Sequence, residues 1–396
     1  MTHGYATSLL RNPRGSQRVT LLELFYDLTY VAGLSLISMN LARRLTWVEA
    51  LHALLPLMAI WWVWSITALV TDFYDPNRLP IQALIVGIMI GTVLLATTLP
   101  QAFGAQGMVF AITYVAIHVG RGVLLIILLR GSPAWKRAAR FLFWFGVSAI
   151  PWLIGAFTHG TLARAVLWGV ALLIEYVLAG LRYPTPWLGR HERDQYDRAQ
   201  EHVGERYQQF MILALGELIL VTVLGYNRAG LGALHTISFV ASFAATISLW
   251  QIYVYRAGSL LRHLPKGRPG RILRWAPYTH FIMIAGIVAA AAGARLVILR
   301  PTGSMPTSWV AVLFGGSILF LIGRTTFEYE VFEHISWSRL AWLAVLIAVS
   351  PAMVLVSPLT ANTIHAVILI GVAVSDAIRG RAHARREDGE RRHATR

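Results

Sequence analysis

The chain has 396 residues, of which 56% are hydrophobic and only 14% charged, with a mean hydropathy of +0.57. A soluble protein of this length carries about 25% charged residues, so a soluble globular fold is excluded and a polytopic all-α membrane protein is predicted. Cysteine is absent, which removes disulfides, thiolate metal ligands and cysteine nucleophiles together; the net charge of +16 is explained by membrane topology without a nucleic-acid partner.

Residues 1–19 are polar with three arginines and read as a cytoplasmic segment. The apolar stretch that follows is too long for a signal-peptide core, holds acids and lacks a small-residue cleavage site, so it is predicted to be a retained first helix. Apolar windows of about 20 residues predict twelve spans, near 20–41, 49–71, 80–99, 106–130, 139–157, 162–181, 204–225, 233–255, 275–299, 307–327, 339–356 and 359–378. The longest polar interruption, Arg182–Arg206, divides the chain into a first six-helix half (20–181), a cytoplasmic linker (182–203), a second half (204–378) and a basic tail (379–396).

With twelve alternating spans, 27 of the 35 Lys and Arg fall on one side, 5 on the other and 3 within spans. Positive charge stays on the cytoplasmic side, so both termini are predicted cytoplasmic. The basic tail and the loop RHLPKGRPGR then face the anionic inner leaflet, each charge contributing about 1 kcal/mol near the surface, which makes membrane lipids the expected macromolecular partner.

Weak similarities recur in the same order in both halves. LELFYDLTYV (22–31) lies over LALGELILVT (213–222), with Asp27 and Glu217 as counterparts one position apart, and FGVSAIPWLIG (145–155) over LIAVSPAMVLV (346–356). Six spans per copy is an even number, which predicts two parallel repeats.

Few polar groups are embedded. Glu23 and Asp27 lie in the first span, one helical turn apart and about 6 Å from each other on one face. A charge at mid-bilayer costs about 2.5–3.5 kcal/mol on insertion scales, so this face must look into protein or water. The pair either takes up and releases a proton or cation, or locks packing through an arginine, with Arg121 or Arg324 as candidates. Glu23, nearer the cytoplasmic end, is expected to be the structural partner of an arginine, and Asp27 the working carboxylate. His118 and Arg121 share a face of the fourth span, and the arginine can clamp a carboxylate or phosphate of protein or substrate. Arg324 is expected to snorkel toward the cytoplasmic interface, and Arg295 to anchor at the opposite one. Glu217, flanked by small residues, is expected to be buried; Glu175 and Asp376 are expected to be solvated near span ends. Trp61, Trp62 and Trp64, three tryptophans in four residues at mid-span, fit an interfacial belt poorly and are candidates to line a cavity, with His280 as a further candidate; helix and lipid packing is the alternative for all four.

No motif supplies a catalytic nucleophile, a metal site or a cofactor cradle: H-E-x-x-H, G-x-S-x-G and the P-loop are all missing.

The opening motif Glu23-Leu24-Phe25-Tyr26-Asp27-Leu28-Thr29-Tyr30-Val31 resembles the E-L-F-F-D-L-V-F-V signature of the bacterial low-temperature-requirement A (LtrA) family. Glu205-Arg206-Tyr207-Gln208-Gln209-Phe210, followed by Leu215-Gly216-Glu217-Leu218-Ile219-Leu220, resembles that family's E-R-F-x-x-F…L-G-E-S-I-L, with Leu218 in place of serine. The resemblance covers nearly the whole chain and implies a multi-pass protein of the bacterial inner membrane, without implying a defined biochemical activity.

Three functions fit these features. The first is a secondary transporter of a small molecule, with proton coupling as one form of it and Asp27 and Glu217 as coupling or substrate groups. The second is a non-catalytic membrane factor or receptor in which the acids are locks. The third is an intramembrane enzyme acting on a lipid or isoprenoid-like substrate, disfavoured because no nucleophile or metal set is evident. The topology is directly testable: a green fluorescent protein fused to the C-terminus should fluoresce, and alkaline phosphatase fused there should be inactive. The opposite pattern would invert the orientation.

Overall fold

A computed structural model of the protein describes residues 2–12, 18–191, 200–262, 271–333 and 335–394. The loop residues 263–270 and linker residues 192–199 lie outside the described residues, as do the tail side chains from 380 onward. After a short helix α1 (Thr2–Ser8) come α2 (Leu21–Leu41), α3 (Trp47–Phe73), α4 (Leu79–Thr98), α5 (Gly107–Leu128), α6 (Trp135–Phe157) and α7 (Thr161–Gly180). The second part of the chain forms α8 (Gln200–Ala229), α9 (Ala233–Arg262), α10 (Arg271–Leu299), α11 (Thr307–Phe332), α12 (Trp337–Val349) and α13 (Pro358–Ala394). Among the described residues twelve helices are long and apolar enough to cross a membrane, as the hydropathy pattern requires. Two boundaries move in a way that matters for the site. The third helix runs on to Phe73 and so takes in Asp72, and α8 begins at Gln200 and so takes in His202. Polar residues at these ends depress the hydropathy window, although the helix itself continues through them.

The chain divides into two compact units, Met1–Leu213 with Arg268–Pro277, and Ala214–Gly267 with Tyr278–Arg396. In the first unit α3 is the enclosed helix. Its apolar stretch is 78% buried, against 50% for α2 and less for α4 to α7, and α2, α4, α5 and α7 pack around it. Trp61, Trp62 and Trp64 are all at most 1% exposed, which a helix with a lipid-facing side could not achieve at three positions in four.

The second helix is inverted relative to a soluble amphipathic helix. Its polar and tyrosine face (Glu23, Tyr26, Asp27, Tyr30) is buried, while Phe25 and Leu28 are 60% and 53% exposed. With hydrocarbon as the outer solvent, the apolar side loses nothing by facing out, and the polar side must find partners inside.

In the second unit, α10 and α11 approach through glycines placed seven residues apart, Gly286 and Gly293 on one helix, Gly316 and Gly323 on the other. A Cβ on Gly286 would lie 2.4 Å from the Gly316 carbonyl oxygen, and one on Gly316 would lie 2.5 Å from the Ala290 amide nitrogen. Small residues permit such backbone contact, which in lipid replaces the hydrophobic effect as the attraction between helices. The neighbouring Gly315 faces open space. Gly316→Ala should therefore lower the unfolding temperature in detergent, at a cost of about 1–3 kcal/mol, while Gly315→Ala should not. Equal effects would show that the glycine contact does not hold the pair.

Candidate functional site

The first-unit site starts at a helix end. Thr20 caps α2 and Glu23 completes a capping box: Glu23 Oε2 accepts from the Thr20 amide at 2.8 Å and from its hydroxyl at 2.9 Å. Capping consumes one carboxylate oxygen and fixes where the other points. Glu23 Oε1 lies 3.0 Å from His202 Nε2, and the opposite ring nitrogen, Nδ1, lies 3.2 Å from Asp72 Oδ1. One turn along, Arg206 grips Asp27 with both terminal nitrogens, Nη1 to Oδ2 at 2.9 Å and Nη2 to Oδ1 at 2.7 Å. Trp64 donates its indole N–H to the same Oδ1 at 2.7 Å.

Glu23 and Asp27 are four residues apart, and so are His202 and Arg206. The two pairs meet in the same order, so the starts of α2 and α8 run parallel, as the first and seventh spans must when crossings alternate. Arg11 completes the cluster, 4.0 Å from Glu23 Oε1 and 2.9 Å from His202 Nε2. Glu23, Asp27, His202 and Arg206 are fully buried, and Asp72 is 6% exposed. Three acids thus face two arginines and a histidine, which balances when His202 is protonated.

Aromatic rings wall this cluster. Trp61 stacks on Trp64 with centroids 4.9 Å apart, and Phe210 lies 4.4 Å and Tyr207 5.0 Å from the Trp64 ring. Trp62 stacks on Tyr176 at 4.1 Å. The tryptophans therefore form the packed wall of an ion cluster. The arginine partner of the acid pair is neither Arg121 nor Arg324 but Arg206, and Asp27, not Glu23, is the acid it grips end-on. The cap on Glu23 explains the exchange, since its Oε2 is already committed to Thr20.

A second polar chain lies deeper in the same unit. Arg121 donates to His118 Nδ1 at 2.6 Å and to Thr67 Oγ1 at 3.2 Å. Glu175, 2% exposed, is no solvated cap: it accepts from Tyr114, from Ser148 at 2.7 Å and from Trp152 at 3.2 Å.

In the second unit Glu217 is fully buried, as expected from its small neighbours. His280 pairs with the Tyr253 hydroxyl at 3.0 Å and meets the Phe327 ring edge-on. Arg324 does not snorkel; it is 1% exposed and lies 3.4 Å from Glu328. Glu328 also takes Arg339 at 2.5 Å, and Arg339 holds Asp376 at 2.6 Å, so Asp376 is likewise an ion-pair partner. Two arginines balance two acids there.

The residues that sequence reasoning missed are Arg11, Asp72, His202, Arg206, Glu328 and Arg339, all assigned to loops or span ends. A signal was present: Arg324 and Glu328 are spaced i,i+4, and the His202–Arg206 spacing repeats that of Glu23–Asp27. For metals, no group of three or more His, Asp or Glu among the described residues could hold an ion; the two nitrogens of His202 turn to different carboxylates.

Buried, charge-paired helices of this kind define a polytopic helical membrane protein. The chain belongs to the bacterial low temperature requirement A protein (LtrA) family, whose profile matches residues 18–374. It is 31% identical over 361 residues to uncharacterized protein RA0937 of Rhizobium meliloti (strain 1021), covering 89% of this chain and 87% of that one. No solved structure matches.

Removing one partner of a buried pair strands the other charge, which costs about 3–5 kcal/mol, whereas replacing both by apolar groups is often neutral. Arg206→Met should be strongly destabilised in detergent, and Asp27→Leu combined with Arg206→Met should recover most of the loss. A double variant no better than the single one would show that the pair is not the unit of stability.

Proposed function

We propose that this LtrA protein is a proton-coupled secondary transporter of a small molecule in the bacterial cytoplasmic membrane, with both termini cytoplasmic and His202 as the group that exchanges the proton. One observation carries the reading: His202 Nε2 has two competing partners, Arg11 Nη1 at 2.9 Å and Glu23 Oε1 at 3.0 Å. Arginine only donates, so its bond to Nε2 requires a neutral ring with the proton on Nδ1, facing Asp72. A protonated ring donates to Glu23 and Asp72 and must give up Arg11. The two protonation states therefore hold different partners, and Arg11, which also donates to the Thr71 and Arg18 carbonyls at 2.9 and 3.1 Å, sits on the segment before α2, where losing the ring loosens one of its ties. A buried element with two arrangements biased by one proton is the physical requirement for coupling.

In this reading the coupling role expected of Asp27 passes to His202 and its two carboxylates, because Arg206 and Trp64 already occupy both Asp27 oxygens. Glu217 remains the candidate for the same role in the second unit. The parallel order of motifs in the two halves supports the repeat plan common among transporters.

The reading is tested in proteoliposomes carrying an internal pH dye and challenged with pools of small metabolites. The wild type should acidify or alkalinise on solute addition. His202→Gln and Glu23→Gln should fall to the level of empty liposomes while unfolding near the wild-type temperature, since Gln at 23 can still accept from Thr20. If both variants keep full flux, the cluster is not the coupling site; if both only unfold, it is a structural lock and the receptor or factor reading gains.

A further inference from the structure

Arg121 differs from the other deeply buried arginines that the structure describes. Arg206, Arg324 and Arg339 each have a carboxylate within 3.4 Å. Arg164 is surrounded by backbone carbonyls of Gly155, Thr158 and Gly104 at 3.0–3.1 Å. Arg121 is 4% exposed, and its side-chain partners are the Thr67 hydroxyl and His118 Nδ1, neither of which is an anion. Glu175 acts on the guanidinium through space and is not bonded to it, its oxygens accepting instead from Tyr114, Ser148 and Trp152.

His118 sharpens the imbalance. The guanidinium can only donate, so Nδ1 must be the acceptor, and the ring is then neutral with its proton on Nε2. That Nε2 is buried with no hydrogen-bond partner, while the ring face is covered by Phe145 at 4.0 Å. The cluster has no carboxylate bonded to its guanidinium and an unanswered N–H donor, and what it lacks is an acceptor within bonding distance.

We infer that Arg121 and His118 form the anion-binding pole of a ligand site within the first unit, and that the ligand group is the carboxylate of a small organic acid. The inference deepens the transporter reading and rests on it for the ligand's role as cargo. A monocarboxylate brings one charge into the buried site where a phosphate dianion brings two, and the second has no cation bonded to answer it. Arg121 has an N–H to spare on each terminal nitrogen, a planar pair suited to two carboxylate oxygens. Phe145, with the guanidinium carbon 5.7 Å from its ring centre, adds a desolvating wall.

The test is binding to the full-length protein in detergent, with no transport required. Acetate and benzoate are titrated into a buffer whose other anion is a bulky sulfonate, and the unfolding temperature is followed. At least one of them should raise it saturably in the wild type. Arg121→Gln should show no such rise. Arg121→Lys should respond only at much higher ligand concentration, and this carries the test if the Gln variant does not fold.

The inference is overturned if neither acid shifts the wild type, or if either variant responds like the wild type. A chloride response equal to that of the acids would overturn the carboxylate assignment, and a tighter one to inorganic phosphate the charge match. Carboxylate binding without solute-driven proton flux would leave the site standing and remove the transporter reading. Flux that persists in Arg121→Gln liposomes without carboxylate binding would do the reverse.

Discussion

Two helix starts, each carrying a pair of ionisable groups one turn apart, meet in matching order: Glu23 and Asp27 on α2 face His202 and Arg206 on α8. Much of the first unit follows from this double contact. Burying six ionisable side chains is tolerable only if each meets a partner, so α1's continuation must bring Arg11 back and α3 must extend far enough to present Asp72. Such a cluster contributes little net stability, because desolvation offsets most of the attraction. Its stronger effect is on register, since sliding α8 by one turn would face Glu23 with an arginine and leave a carboxylate stranded.

The tryptophans on α3 belong to the same constraint. Trp64 donates to Asp27 and, with Trp61, packs against Tyr207 and Phe210, the residues that follow Arg206. The two motifs by which the chain resembles its family are thus two halves of one contact, with the tryptophan-rich segment as the third wall. The second unit solves the same problem with different residues, Arg324 and Arg339 against Glu328 and Asp376. Its helices α10 and α11 are held by glycine-mediated backbone approach.

Against these ion-paired clusters, the Arg121–His118 pair of the first unit has no acid bonded to it. It lies on α5 with a hydroxyl, a ring nitrogen and an aromatic face around it. Its guanidinium is bonded to no carboxylate and, unlike that of Arg164, is not enclosed by backbone carbonyls, and an anionic ligand supplies the missing acceptor.

The sequence by itself determined the class and the spans. Hydrocarbon imposes a length of about 20 apolar residues per crossing, which is a local property that any window can read, and the burial of Glu23, Asp27 and Glu217 followed from the cost of exposing them to lipid. It did not determine who answers those charges. Arg206 and Arg339 read as cations at the edges of predicted spans, and His202 and Asp72 fall outside them, because hydropathy scores a charged residue as a span end whether or not a partner awaits it. Pairing between residues some 180 positions apart, such as Asp27 with Arg206, depends on which helices become neighbours, and only the tertiary structure decides that. The same structure decides that Arg121 has no such partner, a distinction invisible in a chain where every buried arginine looks alike.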